Sequence, residues 1–294
     1  MQFFQASRRA SSLAYPSTPI RKADRNALMV SQFMLARKHK TDPVNEVESL
    51  VANTQDERMT SEFCDTALRF LGKNRSKNQA VVSKLVRIAT QSAVLTNKTK
   101  STIVYSVGKG RLLSELPGDF LAKLGEEESV ASFNPVDLAC TAYGLGKLCQ
   151  TNVNELVARL EHRALEHNTF PGKELANFAW GMAALRREPA SQPLVDKLGE
   201  WTNAVDLKAL DNSYLVTLIC GMAVLTPTNM DSLMREAESR TEIRALDLQR
   251  LTTAYGNAGL DVNRLARFSK ANLAKREHWK LQRKAKEYEQ TVNA

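Results

Sequence analysis

At 294 residues, 43% of them hydrophobic and 25% charged, the chain is long enough for one large core or two ordinary domains of a folded protein. Only 6% of residues are aromatic and glycine and proline are sparse, which argues against a β-sandwich or barrel. The formal net charge is +9, and no run reaches the ~18 apolar residues needed to span a bilayer, so no membrane insertion is expected.

Residues 1–24 carry Arg8, Arg9, Arg21 and Lys22 with no acid before Asp24, and are rich in Ser and Ala. This composition reads as an organellar import signal, or failing that a basic tail, and sets an expectation of the mitochondrial matrix ahead of the plastid. Residues 25–65 form an N-terminal cap region, in which Asn26–His39 is a weak copy of the repeat found downstream, with Ala36 in its glycine position.

From residue 66 to 262 the sequence repeats. Gly72, Gly108, Gly144, Gly181, Gly221 and Gly256 succeed one another at spacings of 36, 36, 37, 40 and 35 residues. The flanks repeat with them. Ala67, Ile103, Ala139, Ala176, Val216 and Leu251 lie five residues before the glycine, and Leu71, Val107, Tyr143, Trp180, Cys220 and Tyr255 lie one before. Leu112, Leu148, Leu185, Leu225 and Leu260 lie four after. Offsets of this kind place one apolar stripe on a helix. Glycine costs a helix up to ~1 kcal/mol relative to alanine, so its recurrence implies a close approach by a neighbouring backbone. Second amphipathic helices are expected at Gln79–Thr90, Asn154–Glu166, Pro193–Thr202 and Asn229–Ser239. Asn134 before Pro135 reads as a helix cap with proline at the first helical position. The expected fold class is therefore all-α: an α-solenoid of about six roughly 36-residue helix–turn–helix repeats, each stacking on the next because one hairpin cannot bury its own apolar face. Residues 263–294 read as a basic C-terminal helix, with Asn263–Glu289 closing the array.

The segment Leu175–Leu185, LANFAWGMAAL, and its counterparts LACTAYGLGKL, YLVTLICGMAVL and LTTAYGNAGL resemble the signature of the octotricopeptide and heptatricopeptide repeat families. These organellar helical-hairpin proteins are related in style to RAP-domain and FAST-kinase-like proteins. The resemblance runs from about Glu62 to Leu260. It implies action on organellar RNA, as an expression factor or as a helical subunit of a mitochondrial ribosome. No RAP domain or nuclease motif is evident at the C-terminus, which weakens RNA cleavage and leaves binding or scaffolding.

Charge is distributed in blocks. Residues 66–114 hold ten basic groups and no acid, residues 115–263 hold thirteen basic and twenty-one acidic groups, and residues 264–294 hold nine basic and three acidic. An array acidic over its later repeats is not expected to read RNA base by base. The acid-free block supplies the expected RNA-binding residues: Lys73, Arg75, Lys77, Lys84, Arg87, Lys98, Lys100, Lys109 and Arg111. Lys275, Arg276, Lys280, Arg283 and Lys284 add a second set in the C-terminal helix. Helix C-termini attract cations on their own account, which covers Lys73, Lys109 and Arg75 but not a run of this length. The acidic repeats, 115–263, would face neighbouring proteins of a large complex.

Catalytic and metal chemistry find no footing. The four histidines show no HExxH, and Cys64, Cys140, Cys149 and Cys220 form no CxxC pair and sit in helical patterns as small hydrophobes. Glu126, Glu127 and Glu128 read as a polar loop, and Tyr143 and Trp180 as core. The expectation is a non-enzymatic protein without cofactors, a structural subunit of the mitochondrial ribosome docked on structured RNA, ribosomal RNA foremost. The alternative is a protein–protein scaffold, an accessory subunit or assembly factor of a respiratory complex.

Overall fold

A computed structural model describes residues 43–186, 190–227 and 230–270, with 274 and 282. Residues 1–42, and with them the expected import signal and the Asn26–His39 copy, lie outside the described residues. Among the described residues the protein is all-helical, and its helices pack on their neighbours in chain order. They are α1 (Pro43–Asn53), α2 (Ser61–Asn74), α3 (Gln79–Gln91), α4 (Asn97–Gly110), α5 (Gly118–Leu124), α6 (Glu127–Ala131) and α7 (Pro135–Leu148). The chain continues with α8 (Asn154–Leu165), α9 (Gly172–Leu185), α10 (Gln192–Ala204), α11 (Asn212–Leu225), α12 (Asp231–Ser239) and α13 (Ala245–Asn257).

Local chemistry starts and stops these helices where the sequence directs. The hydroxyls of Thr60, Thr96 and Ser191 and the amide oxygen of Asn78 each accept from a first-turn amide, satisfying a donor the helix leaves open. At α7 Asn134 and Asp137 form a capping box with Pro135 just inside it, as the sequence leads one to expect. α2, α4 and α7 end alike: Arg75, Arg111 and Cys149 take the left-handed conformation at φ of 54°, 50° and 51°. The next amide in each case, of Ser76, Leu112 or Gln150, then donates back to Leu71, Val107 or Leu145 at 3.0, 3.0 and 3.1 Å.

The glycine helices α2, α4, α7, α9, α11 and α13 form one layer, each lying on the next. Equivalent positions meet, so these helices run parallel. A Cβ on Gly72 would lie 2.6 Å from the Ser106 carbonyl oxygen; one on Gly110, 2.6 Å from the Gly72 Cα; one on Gly221, 2.6 Å from the Trp180 amide. The glycines are thus packing positions, as their recurrence implies. Gly256 is the exception: nothing lies within 4 Å of its Cβ position, whereas Gly144, Gly181 and Gly221 each meet the backbone of the glycine helix before them.

The residue five before each glycine is buried in all six copies. The residue one before is buried only at Leu71, Val107 and Tyr255; Tyr143, Trp180 and Cys220 are half-buried, so Tyr143 and Trp180 are not core residues. The outer helices α3, α8, α10 and α12 fall where the second-helix pattern places them, within a few residues. The outer element before α7 is divided into α5 and α6. Glu127 and Glu128 are not loop residues but the first turn of α6, where carboxylates complement the helix dipole. Cys149 lies beyond α7 and is exposed, unlike the buried Cys64. After α13, residues 266–270 are helical, with Leu265 and Phe268 buried; most of the expected closing helix lies outside the described residues.

Long donors of successive repeats reach back to main-chain carbonyls of the repeat before. The Lys84 ammonium donates to Thr54 O at 2.8 Å, Lys123 to Thr90 O at 2.5 Å and the Arg163 guanidinium to Phe133 O at 3.0 Å. Trp201 Nε1 donates to Asn168 O at 3.2 Å and Arg240 to Leu207 O at 2.7 Å. These bonds tie the outer layer together across 30–33 residues of sequence.

Candidate functional site

Parallel glycine helices bring all their C-terminal ends to one rim. There Lys73, Arg75, Lys77, Lys109 and Arg111 are exposed, and among the described residues none is in an ion pair. The opposite rim holds the acids of the first turns, Glu62, Asp137, Glu174 and Asp247. The dipole favours this polarity on each helix, and parallel packing adds it up across the layer.

The other cations of the acid-free block do not join that rim. Lys98 is exposed but sits in the first turn of α4, about 16 Å of helix away from Lys109. Lys100 is only 6% exposed, and its ammonium donates to Lys123 O and Ser129 Oγ, both at 2.7 Å, and pairs with Glu126. Lys84 caps the C-terminus of α1 through Val51 O and Thr54 O and pairs with Asp56 at 3.3 Å. Arg87 holds the same carboxylate at 2.7 Å and keeps its pKa below the ordinary value. Lys84, Arg87 and Lys100 are therefore structural: their counter-charges come from the acidic segments on either side of the block, which a count within the block cannot see. Lys275, Arg276, Lys280, Arg283 and Lys284 lie outside the described residues.

The exposed face of the glycine layer carries a second constellation that the charge blocks hide. Tyr105 on α4, Tyr143 on α7 and Trp180 on α9 form a ladder, with ring centroids 5.6 and 5.2 Å apart. The Lys109 ammonium lies 5.0 Å from the Tyr105 ring centre and donates to its hydroxyl at 3.0 Å. That of Lys147 lies 4.0 Å from the Trp180 ring and 5.1 Å from Tyr143, and that of Lys173 lies 5.5 Å from Tyr214 on α11. Burial, with Arg250 and Arg111 adding to it, pulls Lys147 down to about 8. Burial pushes Tyr105 up to about 12, with Tyr214 the next contributor, and Tyr143 likewise to about 12. The Tyr214 phenol pushes Lys173 above its ordinary value.

Among the described residues no three ligating side chains converge as a metal site, and no helix is long and apolar enough to cross a membrane.

No protein-family model matches the chain, and no curated protein matches it. The resemblance to octotricopeptide-type repeats rests on the repeated residues alone.

Proposed function

We propose that the protein is an RNA-associated helical scaffold of an organelle, a subunit of the mitochondrial ribosome that docks on structured RNA through the C-terminal rim of its first two glycine helices. The observation that carries this reading is the rim itself. Five exposed cations, Lys73, Arg75, Lys77, Lys109 and Arg111, stand side by side on parallel helices, in no ion pair among the described residues. Arg75 and Arg111 hold left-handed backbone, where glycine would avoid a cost of ~1–2 kcal/mol. The docking set excludes Lys84, Arg87 and Lys100, whose charges are used within the fold.

The test is sedimentation of the tagged protein from organelle lysate with and without ribonuclease. Co-migration with a ribosomal subunit that collapses on nuclease treatment is the expected result; a large particle indifferent to nuclease would favour the respiratory-complex scaffold instead. With purified protein, engagement of about five phosphates makes log K for RNA fall with log salt at a slope of about −3.5 to −4.5. The variant K73E/R75E/K77E should flatten that slope, and RNA affinity that ignores both salt and this variant would overturn the proposal.

A further inference from the structure

The composition of the C-terminal rim narrows the form of RNA it can hold. Its segments 73–78 (KNRSKN) and 109–115 (KGRLLSE) contain no aromatic residue. The nearest rings in sequence, Phe70 and Tyr105, are only partly exposed. The Lys109 ammonium lies 5.0 Å from the Tyr105 ring centre and donates to its hydroxyl. Groups able to read a base edge are scarce as well. Asn74, Ser76 and Asn78 are three of the four amide or hydroxyl side chains in these segments, and the fold uses all three. Asn74 Nδ2 donates to Phe70 O at 2.8 Å, and the Ser76 hydroxyl donates to Glu48. Asn78 donates to the same carboxylate at 3.0 Å, while its oxygen accepts from Val81 N. Beyond the cations, only Ser114 and the exposed Glu115 remain as polar side chains of these segments.

The layout of the cations is equally restrictive. α2 and α4 touch through their backbones just before they end: a Cβ on Gly110 would lie 2.6 Å from Gly72 Cα. Both helices finish in the same left-handed cap, at Arg75 and Arg111, which sets these two residues side by side at the spacing of packed helices, about 8–10 Å. The next cap in the row is Cys149, an exposed thiol. The basic row is therefore two helices wide and stops there.

Single strands are held along charged grooves several nucleotides long, with bases stacked on aromatic rings at ~1–3 kcal/mol each. The rim offers neither the length nor the rings. A duplex requires neither, since its phosphates already stand in fixed positions. A-form RNA is recognised mostly by shape and by backbone contacts across its wide, shallow minor groove. Arginine can read a guanine edge in a major groove, but in A-form RNA that groove is too deep and narrow for side chains to read.

We propose that the rim docks on the sugar–phosphate backbone of double-helical RNA, without regard to its sequence, through Arg75, Arg111 and the lysines beside them. This rests on RNA docking at the rim and specifies the form of that RNA.

Fluorescence anisotropy on the full chain compares two labelled probes of equal phosphate number: an RNA hairpin with a stem of about sixteen base pairs, and an unstructured uridine oligomer. The hairpin should bind at least about tenfold more tightly. Shuffling the stem sequence should change its affinity less than about fivefold, below the effect of one misread base pair. R75E/R111E should weaken hairpin binding at least about tenfold and make the salt slope shallower by about 1.8, the share of two phosphates. K208E, exposed on the opposite rim, should do neither. Thermal melts separate lost binding from lost fold, and R75Q/R111Q supplies the same comparison should the double glutamate variant not fold. A uridine oligomer bound as tightly as the hairpin and released by R75E/R111E would overturn the duplex proposal while leaving RNA docking at the rim in place. Preference for one stem over its shuffled form by more than about tenfold would overturn it too, since the rim would then read bases. Binding of neither probe, or hairpin binding indifferent to R75E/R111E, would overturn both the duplex proposal and the rim as the docking site.

Discussion

Two lysines of the same acid-free run show how much a residue's effect depends on where its side chain ends. Lys84 places its ammonium on the open carbonyls at the end of α1, donating to Val51 and Thr54 at 3.0 and 2.8 Å. Lys77 is exposed and in no ion pair among the described residues. Lys84→Met strips a charged donor from several partly buried acceptors and should cost about 1.5–3 kcal/mol in denaturant unfolding. Lys77→Met should fall within about 0.5 kcal/mol of wild type. Equal effects would mean that the carbonyl clamp contributes nothing. Lys147 adds a pH signature. Its folded pKa, about 8, lies below the ordinary 10.5. Between those values the unfolded chain holds a proton that the folded chain lacks, so this group makes stability rise with pH from about 8 upward. Below pH 8 both states are protonated and the full penalty of holding the charge in its half-buried place applies. Lys147→Met should therefore gain most on wild type below pH 8, by no more than about 1 kcal/mol once partial exposure and the lost cation–π contact are allowed for. The gain should close towards pH 10.5, and a gap that ignores pH would show that the charge is not penalised there.

At the scale of the helix, the glycine repeat makes opposite predictions for two copies of one motif. A Cβ on Gly181 would meet the Ala142 oxygen and the Tyr143 amide at 2.5 Å, both main-chain atoms of α7 that cannot move alone. Gly181→Ala should thus lose about 1–3 kcal/mol or more, through forced separation of α7 and α9, despite its better helix propensity. Gly256→Ala meets nothing and should gain up to ~1 kcal/mol. Thermal melts of the two variants should move in opposite directions. The pair also marks how far the sequence alone could be read. Glycine spacing and the buried positions five residues before it are local and periodic, so helices, caps and stacking order were legible directly. The bare face of Gly256 and the half-buried Tyr143 and Trp180 depend on what neighbouring helices cover in space, which a stripe drawn on one helix does not contain. Charge misled for the same reason. Lys100 looks free along residues 66–114, yet its partners Glu126 and Ser129 lie a repeat further on. Lys147, Lys173 and Arg250 were hidden inside a block whose sum is negative. Lysines four residues on from an aromatic, Tyr105 to Lys109 and Tyr143 to Lys147, were the one local signal of the face that rings and lysines share.

For the whole array, stability is close to a sum of repeat terms and interfaces between neighbours. α7 and α9 are clamped on both sides, with Gly144, Gly146 and Gly181 against adjoining backbones. α13 is clamped on one side only; Leu246 is 68% exposed and Gly256 is open. Opening should therefore begin at α13 and spread inward, since each lost helix removes one interface and leaves the next as a new end. Native-state hydrogen exchange should show a gradient, with amides of α7 and α9 slowest and those of α13 fastest among the glycine helices, governed by local opening rather than global unfolding. α2 sets the comparison at the other end: α1, held by Lys84 and by Glu48, which accepts from the Asn78 amide at 3.0 Å, covers it as a cap. It should exchange more slowly than α13, and Lys84→Met should abolish that difference. Uniform exchange along the array would mean that the repeats open as one unit and that neither the Gly256 face nor the α1 cap sets local stability.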